Sequence, residues 1–416
     1  MREMKPSSME WVGDIPTSWK VIPNKYLMHK KKEICPVYNG EDILSLTMKG
    51  VIVRDLDAGG KMPASFDGYQ RLESGNLLMC LFDIDVTPRC IGLIKQTGLS
   101  SPAYSQFVLC DDANAAYYCY YYTMLDNDKT LLHLAKNLRH SLTEDQLGAI
   151  PVIVPPMDEQ KRIADFLDAK CAEIDALATD IQAQIDTLEQ YKRSVITETV
   201  TKGLNPNAEM KDSGVFYMAP MNATWRLTKI GYICSKLSRS FAPEDTALIC
   251  SNKGKVQVRA DDLTGIMVSD DNAMQGIHAG DIAIHGMDTW HGAIALSEYD
   301  GKITRVVHVC DSTEDKRFIV YYMQHLAFQG VYKLISNGVR GNTSDFRSWD
   351  KVRDIWIAIP ETKEEQAAIC DYLDRQCTAV EEVIATKKEQ LEVLGEYKKS
   401  LIFEYVTGKK EVPCND

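Results

Sequence analysis

The sequence predicts an α+β protein: two mixed α/β globular parts separated by two long helices that form an antiparallel intramolecular coiled coil. Three observations carry this reading. The chain repeats itself at an offset of 206, each copy ends in an uninterrupted amphipathic stretch of more than forty residues, and the part before that stretch is broken into short β-branched runs.

The repeat is densest near the end of each copy. Residues 159–201 and 365–407 share 16 of 43 positions, among them Glu159-Gln160 with Glu365-Gln366, Asp165-Phe166-Leu167-Asp168 with Asp371-Tyr372-Leu373-Asp374, and Tyr191-Lys192 with Tyr397-Lys398. The same offset relates Met4-Lys5 to Met210-Lys211, Trp11 to Tyr217 and Trp19-Lys20 to Trp225-Arg226, so the duplication covers the whole chain. The divisions follow: globular parts at 1–156 and 204–360, helices at 157–203 and 361–408, and a tail at 409–416.

In the globular parts, runs such as Gly50-Val51-Ile52-Val53 and Ile91-Gly92-Leu93-Ile94 read as strands, and Tyr117 to Lys136 as helical. The tyrosines of residues 117–122 invite comparison with a stacking platform for single strands. Their partner, Phe318-Ile319-Val320-Tyr321-Tyr322-Met323, has the pattern of a buried helix face, and core packing is the expectation for both.

The helices show one apolar stripe each: Ile163, Leu167, Cys171, Ile174, Leu177, Ile181, Ile185, Leu188, Tyr191 and Val195 in the first, and Ile369, Leu373, Cys377, Val380, Val383, Leu391, Leu394, Tyr397 and Leu401 in the second, broken at Lys387. Pro155-Pro156 and Pro360 stop them at their beginnings, Gly203 and Gly408 at their ends. About 45 residues at about 1.5 Å per residue make a rod near 65 Å, too long to be buried against a domain of about 150 residues. Two such stripes in one chain bury most easily against each other, and a two-fold relation between duplicated halves makes the pair antiparallel. Two independent surface helices or a homodimeric coil are the alternatives.

The net charge of −12 argues at first against a nucleic-acid partner. Residues 157–201 and 361–407 carry 11 basic and 21 acidic side chains, so ten of the twelve excess negatives lie on the helices and the globular parts are nearly neutral. A mean hydropathy of −0.24 and the lack of a long apolar run exclude a membrane span. The beginning of the chain has no apolar core of a secretory signal, and the twelve cysteines contain no C-x-x-C pair, so reduced thiols in a cytoplasm are expected.

Catalytic motifs are missing. There is no phosphate-binding P-loop, G-x-G-x-x-G turn, H-E-x-x-H or G-x-S-x-G elbow. Val154-Pro155-Pro156-Met157 is superficially similar to an amino-methyltransferase loop but lacks the amide or acid that would accept the target amine. His285, Asp288 and His291 lie within seven residues and would permit a metal site, yet the corresponding stretch of the first copy, residues 80–90, has neither histidine.

Taken together, Trp11-Val12-Gly13-Asp14-Ile15-Pro16, Trp19, the Pro-x-x-x-Glu-Gln entry to a long helix, and the duplicated domain-helix order resemble the DNA-specificity subunit of type I restriction-modification enzymes. The second copy departs at Val215-Phe216-Tyr217-Met218-Ala219-Pro220. The resemblance implies two target-recognition domains, each reading half of a split double-stranded DNA target across a helical spacer. Adenine methyltransferase and restriction-translocase subunits would carry catalysis, with S-adenosylmethionine, ATP and magnesium bound there and no cofactor in this chain. Lengthening both helices by about seven residues, near 10 Å, would then move the half-sites by around three base pairs.

Two domains that share a scaffold but read different sequences must differ where they touch bases. Aligning Gly75-Asn76 with Gly280-Asp281 and Gly92-Leu93-Ile94 with Gly292-Ala293-Ile294 leaves residues 82–90 and 287–291 as divergent loops. Arg89, Asp288, Trp290 and His291 are the base-edge candidates, and Lys49, Arg54, Lys253, Lys255 and Arg259 suit phosphates. The resemblance also implies that Tyr191, Lys192, Tyr397 and Lys398 contribute to the surface that holds a methyltransferase subunit. The remaining alternatives are a two-headed scaffold that binds protein, favoured by the acidic total, and a metal-dependent enzyme using His285, Asp288 and His291.

Overall fold

A computed structural model describes residues 2–57, 63–135, 140–259, 273–336 and 345–413. The chain divides into two compact units, 1–181 with 389–416, and 182–388, so that each unit holds one globular part and a segment of each long helix.

The globular parts repeat one architecture. In the first unit an antiparallel sheet runs in the order Met28–Lys31, Ser105–Leu109, Leu77–Met79, Ile91–Leu93; in the second the order is Cys234–Lys236, Val307–Ser312, Ile282–His285, Ile294–Leu296. A hairpin follows in each copy, Leu44–Thr47 with Gly50–Val53 and Ala247–Ser251 with Lys255–Val258. Gly50 and Gly254 take positive φ at its turn, where a side chain would be strained.

One helix, α1 (Ala115–Asn127), packs over the first sheet, and Asn114 caps it by accepting from the Tyr117 amide at 2.9 Å. The expected helix to Lys136 is instead divided: the chain turns at Lys129, which has φ 51°, before a short helix Thr130–Leu134, and Lys136 lies outside the described residues. Tyr117, Tyr118, Tyr121 and Tyr122 are all buried, and Phe318, Ile319 and Tyr322 are buried on the equivalent helix of the second unit, so these aromatics form core and not a stacking surface.

The long helices are α2 (Met157–Lys202) and, after the Lys316–Phe328 helix α3 of the second unit, α4 (Lys363–Val406). Acidic first turns, Asp158-Glu159 and Glu364-Glu365, complement the positive end of each helix. Gly203 and Gly408, both at positive φ, end them.

Within each unit the helices pair antiparallel. In the first, Ile163, Leu167 and Ile174 share a core with Leu401, Ile402 and Val406, and Lys398 bonds Asp175 at 2.6 Å. In the second, Ile196 and Val200 share a core with Ile369, Leu373 and Cys377, and Lys192 bonds Glu381 at 2.5 Å. Pairing within the chain replaces the alternatives of independent or homodimeric helices. Lys387, which interrupts the apolar stripe, reaches across to the side-chain oxygen of Gln184.

The Glu-Gln start of each helix locks it to its globular part. Buried Trp19 donates its indole N–H to Glu159 at 2.8 Å, and Trp225 does the same to Glu365 at 3.0 Å. Buried Gln160 accepts from the Asn114 amide and donates to the Asp112 and Pro155 carbonyls; Gln366 accepts from the Asp315 amide and donates to the Pro360 carbonyl. A buried side-chain amide leaves neighbouring backbone groups unpaired if removed, which explains why both copies carry glutamine there.

Candidate nucleic-acid interface

The phosphate candidates cluster at the hairpins. Lys49 and Lys253 are exposed at the two equivalent turns. Arg54 and Arg259 follow the second hairpin strands, and their amides donate to Ile43 and Ala247 at 2.7 and 2.9 Å, so the two arginines hold equivalent positions. Lys255 is engaged differently, bonding Glu381 at 2.6 Å, while Glu381 also bonds Lys192. Burial opposes charge on Glu381, but its two lysines outweigh that and hold the carboxyl below its ordinary pKa.

Beside each hairpin a groove faces the unit's own helices. It measures about 540 Å³ in the first unit, with Lys49, Arg89, Lys95, Lys398 and Lys399 among its lining, and about 380 Å³ in the second, with Lys192, Arg193, Lys253, Lys255 and Lys388. Basic side chains outnumber acidic ones in both, although the chain as a whole is acidic.

The ladders revise the alignment of the divergent loops. Gly92 pairs with Leu78, and the residue that pairs with the equivalent Ala283 is Ala295, not Gly292. The Ile94 amide donates to the Asn76 carbonyl and the Ser297 amide to the Asp281 carbonyl, which fixes the same register. The loops are closed by Cys80 with Cys90 at 2.9 Å and by His285 with Ala293 at 2.9 Å, and therefore comprise residues 81–89 and 286–292.

Arg89 does not face outward from its loop. Its guanidinium bonds Asp126 at 3.1 Å and Asn127 at 3.0 Å at the end of α1; its side chain is 16% exposed and that of Asp126 1%. Asp126 also accepts from the Cys90 amide at 3.1 Å. Burial, then the Asp126 charge, pushes the Cys90 thiol up to about 12. Arg89 thus anchors the loop and is spent on an internal ion pair.

In the second unit, Trp290 packs against the core and lies under the Lys333 ammonium at 5.8 Å, while His291 is exposed. His285 Nδ1 accepts from the Asp288 amide at 3.1 Å. Burial lowers the His285 pKa, with the Asp288 charge opposing, so the ring is neutral at pH 7 and the Asp288 carboxylate 3.2 Å away meets no cation there. Among the described residues no three His, Cys, Asp or Glu side chains converge as a metal-holding group, and His291 is exposed.

The four expected subunit contacts fall in two pairs. Tyr191 and Tyr397 are 50% and 55% exposed, each beside a lysine held by a carboxylate on the opposite helix.

Residues 103–187 match the type I restriction modification DNA specificity domain. Over this segment the chain is similar to that family. A protein of Methanocaldococcus jannaschii named as the type I restriction enzyme MjaX specificity subunit is 21% identical over 285 residues, covering 65% of this chain. The match spans 62% of that relative's length. A chain from a structure on complex assembly and conformational transition of the type I R-M system superposes with a TM-score of 0.66 at 14% identity, over 95% of this chain and 99% of that one, a likeness of fold. The HsdS subunit from Thermoanaerobacter tengcongensis gives a TM-score of 0.46 at 14% identity, over 95% and 98%. Among the described residues no helix is long and apolar enough to cross a membrane.

Two loop features of this chain were invisible to spacing. The loop 81–89 meets His140, whose ring lies 2.9 Å from Asp85, and the loop 286–292 meets Arg347, which donates to the Met287 sulfur at 3.0 Å. No repeat or motif marks either partner.

Proposed function

We propose that this chain is the sequence-specific, double-stranded DNA-binding subunit of a type I restriction-modification complex. It reads a bipartite target with one head for each half and positions methyltransferase and restriction subunits. Catalysis, together with S-adenosylmethionine, ATP and magnesium, belongs to those partners, in the cytoplasm.

One observation carries the reading: two copies of a single scaffold share sheet order, hairpin, helix latch and basic groove, yet differ in length and chemistry at the loops 81–89 and 286–292. Selection for packing alone would not favour that pattern; selection for reading two different half-sites would. Lys49, Arg54, Lys253 and Arg259 serve as phosphate contacts, with Lys255 released to one only when it leaves Glu381. Asp288 and His291 remain base-edge candidates, an acidic side chain suiting the cytosine amino group. Arg89 and Trp290 act from behind as supports of their loops.

Methylome sequencing of the host with and without the gene tests the proposal. A split, non-palindromic methylated sequence should vanish on deletion. An unchanged methylome in a host with active methyltransferase partners would refute it.

A further inference from the structure

Each divergent loop is zipped to a second loop from the end of its globular part. In the first unit the Ile84 amide donates to the His140 carbonyl at 3.1 Å and the Leu142 amide to the Leu81 carbonyl at 2.8 Å. In the second, the Phe346 amide donates to the Gly286 carbonyl at 3.0 Å, and His308 Nε2 lies 2.7 Å from the Phe346 carbonyl. Leu142 and Phe346 therefore hold equivalent places, and both are buried. A Cβ on Gly286 would sit 2.8 Å from the Phe346 oxygen and 3.0 Å from the Arg347 Cα, so glycine is required for the two backbones to approach this closely.

This arrangement sets the backbone of Arg347 firmly while leaving its side chain exposed. Its guanidinium donates to the Met287 thioether, a weak acceptor, and among the described residues meets no carboxylate. It is thereby the reverse of Arg89. The equivalent position in the first unit is Thr143, whose hydroxyl is spent capping the short helix Glu144–Ala149 by accepting from the Gln146 amide at 3.2 Å. The first unit instead carries the Asp85–His140 pair at 2.9 Å. An arginine on a rigid support, with open donors, has the planar fork that matches the O6 and N7 acceptors of guanine.

We infer that Arg347 is a specificity-determining residue that reads a guanine edge in the half-site assigned to the second copy. The inference rests on the DNA-reading proposal above and names one base contact within it.

The test uses the full chain and a pool of randomised duplexes, with retained duplexes sequenced. The wild-type chain should enrich a split sequence containing a G·C pair in one half. Arg347→Ala should cut discrimination at that pair by about 10- to 100-fold and leave the other half-site unaltered, while Arg347→Gln should move the preference there towards A·T, since Gln pairs with adenine. Both variants should unfold at the wild-type temperature because the side chain is exposed. Weakening spread evenly over all sequences would make Arg347 a phosphate contact and overturn the inference, as would an unchanged preference. Enrichment of no sequence by the wild-type chain would instead sink the DNA-reading proposal, and this inference with it.

Discussion

Replacing Arg89 by alanine removes the guanidinium that neutralises Asp126, a carboxylate whose side chain is 1% exposed. Breaking a buried pair from one side typically costs 3 to 5 kcal/mol, on the order of what desolvating the remaining charge demands. Here Asp126 keeps the Cys90 amide at 3.1 Å and the Lys129 ammonium at 3.2 Å, and Arg89 retains some contact with water, which lowers the expected loss to about 2–3 kcal/mol. For a unit of this size that is roughly a 5–10 °C fall in the unfolding temperature. Calorimetry on Arg89→Ala and on the double variant Arg89→Ala/Asp126→Asn checks the cause, because removing the stranded charge should return the loss to about 1 kcal/mol. An unaltered transition in Arg89→Ala, accompanied by a changed DNA preference, would refute the anchoring argument and restore Arg89 as a base reader.

The helix-ending glycines should respond unequally. Gly408→Ala places its Cβ 2.6 Å from Pro16 Cγ and 2.8 Å from the Trp19 ring at φ +72°, costing about 3–5 kcal/mol, whereas Gly203→Ala at φ +85° meets nothing nearer than the Trp225 ring at 3.3 Å and should lose about 1–2; urea unfolding followed by tryptophan fluorescence distinguishes them, and equal losses would contradict the packing described. His325, buried against Thr197, is held neutral by burial with its pKa lowered to about 4 from 6.5. The unfolded chain takes up this proton first, so stability is complete above pH 6.5 and declines by about 3 kcal/mol as pH falls towards 4; His325→Phe should flatten that part of a pH–stability curve, and an unchanged slope would exclude His325 as its source. Tyr191→Ala and Tyr397→Ala, both at exposed positions, should leave the unfolding temperature within about 1 °C and weaken co-purification with methyltransferase subunits. Intact assembly in the double variant would place that surface elsewhere.

The long helices were legible because a period near 3.6 sustained over more than ten turns has no other reading, and the duplication doubled the signal. The Trp–Glu and glutamine latches could be located by recurrence, but their purpose could not: Trp19 and Glu159 stand 140 residues apart, and only the fold joins them. The divergent loops were legible in place and misread in detail. Matching Gly92 to Gly292 trusted residue identity where strand pairing decides, and Arg89 looked available because nothing in its neighbourhood announces Asp126 at the end of a helix 37 residues on. Arg347 was overlooked for the opposite reason. Its loop joins the divergent one through backbone hydrogen bonds, which any side chains would permit and which leave no trace in the residue pattern.

The buried glutamines have a practical implication for dissecting the molecule. A fragment cut at Pro155-Pro156 would strand the Asn114 amide and the Asp112 carbonyl without Gln160, and would deprive the Tyr117 hydroxyl of the Val406 carbonyl it meets at 2.8 Å. The globular part is therefore not a detachable cartridge. A seam partway along each rod, near residues 181 and 389, spares all of these bonds, and chimeras joined there should stay soluble where those joined at the prolines precipitate.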